Sequence, residues 1–326
     1  MNIKHLWWKI EKMRHPEYAL AAIDSFTKPH YYQFFQSFNK GVFAIEMHNP
    51  KLGFFAKLNW CLLVLYYCQR NNLIPYIELT SLNYIDANRG NDWFKYYFTN
   101  LALREHGYDA DYHPKYVTRI RKIKDLHLPG WCYHELTLEH AAALFKQSIA
   151  IQPEIASEVD AFTTDHFANR KVLGVHYRGT DKVIEAPRVN WDFCEKTIRN
   201  YLADHSDTDV IFVATDEGPF LRHIALKFPD VEVISHDDHF RSEGGEAIHT
   251  LGTGGDNYLK GRDALVNSLL LSKCNTVIRS SSFLSAWSSI FNPMLHVILL
   301  NRPNENALWF PEVEIMKHSL DQYLPE

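Results

Sequence analysis

The chain has 326 residues, 46% of them hydrophobic and 22% charged, with a formal charge of −5 at pH 7. That profile excludes a disordered or collagen-like chain, and at roughly 100–200 residues per domain it predicts two domains. Net acidity argues against general nucleic-acid binding and leaves a local basic cleft as the place for an anion.

The first stretch sets Ile3, Leu6, Trp7, Ile10 and Met13 at helical spacing among Lys4, Lys9, Lys12 and Arg14. This pattern predicts a helix docked on the body or, alternatively, a peripheral membrane contact through residues 1–14. It has no continuous apolar core and no small-residue cleavage site, so it does not read as a secretory signal. Residues 41–47 and 73–79 read as strands on either side of a helix from Phe54 to Arg70, the strand–helix–strand unit of a parallel sheet. The longest apolar run, Trp60–Cys68, falls well short of the ~20 residues a membrane span needs. Segments 92–98, 139–149 and 152–169 read as helices, and the polar Asn169-Arg170-Lys171 marks a boundary between halves.

Beyond that boundary, 171–177, 210–215, 231–235, 275–280 and 295–300 are short β-branched runs. Helical patterns at 191–204, 217–228, 258–274 and 283–291 separate them. Repeated βα units with near-continuous apolar strands predict an α/β fold with a doubly wound parallel sheet. The expected division is an amino-terminal domain 1–168, a nucleotide-binding domain 169–302 and a segment 303–326 packing back on the body. The glycine-rich stretch 236–257 reads as a functional loop. Five scattered cysteines without a CxxC read as buried free thiols of a reducing compartment, so the expected location is cytoplasmic.

Ligands of such sheets bind beyond the carboxyl ends of the strands. The densest chemistry lies there: Gly174-Val175-His176-Tyr177-Arg178-Gly179-Thr180-Asp181-Lys182. Strand alternation sends His176 and Arg178 to one side. Arg offers a bidentate fork and Lys a point charge, so the cluster suits a phosphate or diphosphate, or else is an internal salt-bridge network with Asp181. Asp216 ends the next strand, where it faces the same cleft or caps the following helix. Asp263 and Asn267 lie one turn apart on one helix face. Ser280, Ser281 and Ser282 precede another helix, whose N-terminus suits an anion or ordinary capping. Asp109-Ala110-Asp111 follows no clear strand and reads as a chance pattern. His236-Asp237-Asp238-His239 reads as a solvated loop. Gly252-Thr253-Gly254-Gly255 lacks the residues of a P-loop, and no G-x-S-x-G elbow is present.

The segment His176–Lys182 resembles the His-x-Arg-x-Thr-Asp-Lys motif of the α-1,6- and O-fucosyltransferase superfamily, which includes the nodulation fucosyltransferases. The likeness continues in order through Ala214-Thr215-Asp216, the run Lys260–Ser272 and Arg279-Ser280-Ser281-Ser282. It implies a GT-B architecture of two Rossmann-like domains facing across a cleft. It also implies a GDP-sugar donor, a glycan acceptor, no cofactor, no metal ion, and inversion at the sugar carbon. By matching positions His176 and Arg178 would contact the donor's β-phosphate, with Lys182 beside them. Glu185, one residue nearer to Lys182 than in the mammalian α-1,6 enzymes, would be the base, with Asp181 as the competing base. Relatives commonly carry a carboxylate at the position of Asn267 to accept from guanine, so Asp263 substitutes for it or the nucleotide differs. The expected function is transfer of L-fucose from GDP-fucose to a glycan. The alternatives are another nucleotide sugar on the same fold or a non-catalytic binding protein.

Overall fold

The computed structural model describes residues 42–47, 52–107, 136–178, 186–237, 240–243 and 256–325. In the amino half β1 (Val42–Met47) and β2 (Ile74–Leu79) pair in parallel through α1 (Phe54–Arg70), as the sequence pattern predicts. The helix expected over 92–98 is broken. Its first part is one turn, α2 (Phe94–Tyr97), and the chain then extends as β3 (Phe98–Asn100) before α3 (Leu101–Glu105). The reason is a competing partner: β3 pairs antiparallel with β4 (Ile149–Ile151), and Gln152 donates its backbone N–H to the Tyr97 carbonyl at 2.8 Å. An aromatic-rich run fits a pleated, packed surface as readily as a helix. Between these strands α4 (Leu138–Ser148) starts at Thr137, whose hydroxyl accepts from His140 N–H, and α5 (Pro153–His166) starts on its proline.

The carboxyl half holds β5 (Val172–Tyr177), α6 (Trp191–Asp204), β6 (Val210–Thr215), α7 (Gly218–Lys227) and β7 (Glu232–Ile234). It continues with α8 (Asn257–Leu271), β8 (Thr276–Arg279), α9 (Phe283–Phe291) and β9 (His296–Leu299). The five strands are parallel in the order β7-β6-β5-β8-β9. Alternation splits their side chains between two apolar layers. Leu173, Val175, Tyr177, Ile211, Val213 and Ile278 meet Cys194 and Ile198 of α6 and Phe220 and Ile224 of α7. Val172, Val210, Phe212, Ala214 and Val277 meet α5, α8 and α9 in a core that runs on into the amino half. At Trp287 of α9 that core is joined by Phe55 of α1 and Phe145 of α4, with ring centres 5.7 and 5.6 Å away. This explains why α1 is buried on nearly all sides.

The carboxyl-terminal residues lie against the carboxyl-half sheet. Leu320 N–H donates to the Val297 carbonyl at 2.8 Å, and α10 (Glu312–Ile315) lies against the end of β8 through an Arg279–Glu312 ion pair. Cys61, Cys68, Cys194 and Cys274 are buried free thiols. No helix of the described residues is long and apolar enough to cross a membrane. The expected helix over residues 1–14, Asp109-Ala110-Asp111 and Cys132 lie outside the described residues.

Candidate functional site

The chain leaves β5 for β6 and β7 on one side and then crosses to β8 and β9 on the other. The crevice between the carboxyl ends of β5 and β8 is therefore the point where strand order reverses, the usual ligand position in open α/β sheets. Arg178 follows β5 and Ser280 follows β8. Arg178 N–H donates to Ser280 Oγ at 3.0 Å, and its Nε lies 3.9 Å from Asp216 Oδ2 beyond β6. The Arg178 side chain keeps 19% of its surface exposed, so it is anchored at its root and still partly open to solvent. Asp216 is not the cap of α7. That helix begins after Glu217, whose N–H is taken by the Thr215 hydroxyl.

His176 is buried in β5, opposite Ala214 on one side and Arg279 on the other, and its carbonyl accepts from Ser280 N–H. Ser281 is tied to the end of β9, with its N–H on Asn301 Oδ1 at 2.6 Å and its hydroxyl on the Asn301 carbonyl at 3.1 Å. Ser282 heads α9 without a side-chain cap bond, and its buried hydroxyl has no hydrogen-bond partner among the described residues. A buried hydroxyl left so costs about 1–3 kcal/mol, which a ligand at that helix N-terminus would recover.

Asp263 and Asn267 are both buried, one turn apart, and the Asn267 amide donates to the Asp263 carbonyl at 2.9 Å. Asp263 Oδ1 accepts from Arg262 Nη1 at 3.1 Å. Arg262 in turn grips both carboxylate oxygens of Glu158 on α5, and His236 Nε2 lies 2.8 Å from Glu158 Oε1. Burial alone would raise the Glu158 carboxyl, but the His236 hydrogen bond and the Arg262 charge outweigh it and hold it below its ordinary value. His236, expected in a solvated loop, is 7% exposed, because this ion-pair network draws it inward. No group of residues suited to hold a metal occurs among the described residues.

The sequence pattern assigned no site role to two lysines. Lys57 of α1 is fully buried; its Nζ donates to Asn83 Oδ1 at 2.7 Å and sits 4.7 Å from the centre of the Tyr84 ring. Lys260 of α8 is 6% exposed and lies 6.0 Å from the same ring. Burial first, and then the Lys260 charge, bring the Lys57 ammonium down to about 7; burial also lowers Lys260. The Tyr84 hydroxyl accepts from Phe54 N–H at 2.9 Å. Burial pushes this phenol up to about 12, against the Phe54 hydrogen bond and the charge of Arg178. The readable signal was a lysine interrupting the apolar run of α1.

The sequence model of the Nodulation protein Z (NodZ) family matches residues 128–314, more than half of the chain. The chain belongs to that family. Nodulation protein Z of Bradyrhizobium diazoefficiens is 31% identical over 175 residues, a match covering 50% of this chain and 45% of that relative, so less than half of the relative's length is spanned. The crystal structure of fucosyltransferase NodZ from Bradyrhizobium is similar with a TM-score of 0.53 at 17% identity, over 79% of this chain and 95% of that one. A NodZ alpha-1,6-fucosyltransferase co-crystallized with GDP gives a TM-score of 0.51 at 15% identity, over 79% and 94% of the two chains. The fold is GT-B, the fold of the NodZ structures. The NodZ match takes in Arg178, Asp216, Lys260 and Ser280, whereas Lys57 and Tyr84 lie before it. Asp181, Lys182 and Glu185 also fall within the match but lie outside the described residues.

Proposed function

We propose that the chain transfers L-fucose from GDP-fucose to a glycan acceptor. The observation that carries this reading is the meeting of Arg178, Asp216 and Ser280 at the switch point of a GT-B sheet. Membership of the NodZ family supports it, as does a NodZ structure co-crystallized with GDP.

In this reading the residues 169–302 hold the nucleotide and residues 1–168 offer the acceptor side. Breaking the sugar–oxygen bond leaves growing negative charge on the departing diphosphate. Arg178, with His176 and Lys182 beside it, would meet that charge. The Ser282 hydroxyl and the N-terminus of α9 would hold the same group from the β8 side. Asp216 positions Arg178 through its carboxylate. Glu185, or Asp181 in its place, would take the proton of the acceptor hydroxyl as it attacks from the opposite face, giving inversion. Side chains supply the cations this route needs, so we propose that it proceeds without a metal. We place the reaction in the cytoplasm, with residues 1–14 as a peripheral membrane contact.

A second reading, another nucleotide sugar on the same fold, is favoured by one observation: the Asn267 amide stands where the resemblance implies a carboxylate, and Asp263 is engaged by Arg262. A thermal-shift series with GDP, UDP and CMP separates the two. A ligand at a hundredfold excess over its Kd stabilises the folded state by about 2.7 kcal/mol. GDP alone is expected to raise the melting temperature. Arg178→Ala should abolish that rise, keep a native circular dichroism spectrum and slow transfer by ~10²–10³. A rise with UDP alone would move the assignment to the second reading. An unchanged turnover in Arg178→Ala would remove this residue from the site.

A further inference from the structure

We infer that Asn301, just past the end of β9, is a positioning residue that ties the Ser280–Ser282 turn to Pro187, where the chain returns after Arg178. The inference rests on the donor reading above and adds a residue to it.

Asn301 makes three hydrogen bonds, and they reach two separate segments. Its Oδ1 accepts from Ser281 N–H at 2.6 Å and its carbonyl from the Ser281 hydroxyl at 3.1 Å, while its Nδ2 donates to the Pro187 carbonyl at 2.6 Å. The partners dictate how the amide is turned, because a backbone N–H only donates and a backbone carbonyl only accepts. An asparagine side chain supplies both functions at once. Aspartate would lose the donor, and leucine would lose donor and acceptor alike.

The joined segments flank the residues to which the donor reading gives chemistry. Ser281 stands between Ser280, whose hydroxyl takes the Arg178 N–H, and Ser282 at the head of α9. Between Arg178 and Pro187 the sequence carries Asp181, Lys182 and Glu185. The returning chain is also held to β5 and α6: Ala186 and Val189 are buried, the Tyr177 hydroxyl donates to the Val189 carbonyl at 2.7 Å, and Asn190 caps α6. Asn301 adds the link to the turn. A closed circuit results, from Arg178 to Ser280, from Ser281 to Asn301, from Asn301 to Pro187, and back along the chain. With both ends of a short segment held, the reach of each residue between them is limited by the length of chain to the nearer end. A diphosphate drawn to the N-terminus of α9 would tighten the Ser280–Ser282 turn, and Asn301 would pass that change to Pro187.

The test is hydrogen–deuterium exchange of the full chain, with and without saturating GDP, for the wild type, Asn301→Leu and Asn301→Asp. In the wild type GDP should slow the amides of 280–285 and of 188–191 together. Without nucleotide, both segments of Asn301→Leu should exchange about fivefold faster, the usual weight of one hydrogen bond. With GDP, 280–285 should be slowed again in this variant and 188–191 should not. Asn301→Asp keeps an acceptor for Ser281 N–H and lacks a donor for Pro187, so it should restore the unliganded rate at 280–285 alone. A merely structural residue would raise exchange across the sheet in both variants and leave the response of 188–191 to GDP in place. If GDP slows 188–191 as strongly in Asn301→Leu as in the wild type, or slows only 280–285 in the wild type, the donor reading stands and the coupling is wrong. If GDP slows neither segment in the wild type, the donor reading is wrong. The tie then stands on the parallel rise in unliganded Asn301→Leu and falls without it. Should Asn301→Leu fail to fold, the split between the two segments in Asn301→Asp decides.

Discussion

Arg279 ends β8 one residue before Ser280, at the same sheet edge as Arg178, yet its guanidinium is fully buried. It donates to both carboxylate oxygens of Glu312 and to Ser285 Oγ at 3.3 Å. Two arginines at neighbouring strand ends thus do different work. Arg178 is partly exposed beside Asp216 at the crevice, whereas Arg279 anchors the root of the Ser280–Ser282 turn to α10. Breaking a fully buried pair from one side leaves an uncompensated charge and costs about 3–5 kcal/mol. Glu312→Gln should therefore destabilise the fold by about 3 kcal/mol in urea unfolding. Replacing both partners, in Arg279→Met with Glu312→Leu, should cost less than the single change. A single-variant loss below about 1 kcal/mol would mean the pair is solvated in the native state. Nothing in the sequence near residue 279 distinguishes these roles, because the deciding carboxylate is 33 residues further along. Arg178 was legible because its neighbours Asp216 and Ser280 also end strands, and strand ends converge whatever the loops do.

At the scale of elements, the long periodic segments were readable almost to the residue: α6 and α9 occupy the predicted 191–204 and 283–291. The short β3–β4 pairing was not, since three-residue strands carry too little pattern to compete with a helical reading. Nor was the reason for Gly261 inside α8. A glycine in a helix interior costs about 1 kcal/mol relative to alanine, so propensity alone predicts that Gly261→Ala stabilises. The packing predicts the reverse. A Cβ at 261 would lie 2.3 Å from the Tyr97 hydroxyl and 2.6 Å from its ring carbon. Tyr97 cannot swing away: it is fully buried, stacked on Tyr258 with ring centres 5.5 Å apart, and donates to the Tyr258 carbonyl at 2.8 Å. Overpacking of this kind typically costs about 1–3 kcal/mol. Gly261→Ala should lower the denaturation midpoint. A stabilised variant would show that Tyr97 yields without moving α8.

At the scale of the whole molecule, Lys57 of α1 and Lys260 of α8 are buried near one ring where the two halves meet, and that arrangement has a pH signature. Lys57 titrates at about 7 in the folded chain, lowered by burial and by Lys260, and near the ordinary lysine value when unfolded. Between these values the unfolded state binds more protons than the folded one, so stability rises with pH, by at most about 1.4 kcal/mol per unit for a full proton difference. Below about pH 7 both states carry the proton and the cost of the buried charge is fully present. Lys260, lowered by burial, acts in the same direction. The buried thiols of Cys61, Cys68, Cys194 and Cys274, all raised by burial, act in the opposite direction once unfolded thiols ionise near pH 8.5, which sets the upper end of the useful window. Asp92, raised by burial to about 6, opposes the trend only at lower pH. The unliganded wild type should therefore gain stability from about pH 7 to pH 8, and Lys57→Met should show a flatter profile with its largest advantage at the acidic end. Unfolding curves across this interval, for the wild type and Lys57→Met, check both statements together. A wild-type profile as flat as that of Lys57→Met would mean that Lys57 holds its proton equally in the folded and unfolded states, so that burial does not lower it.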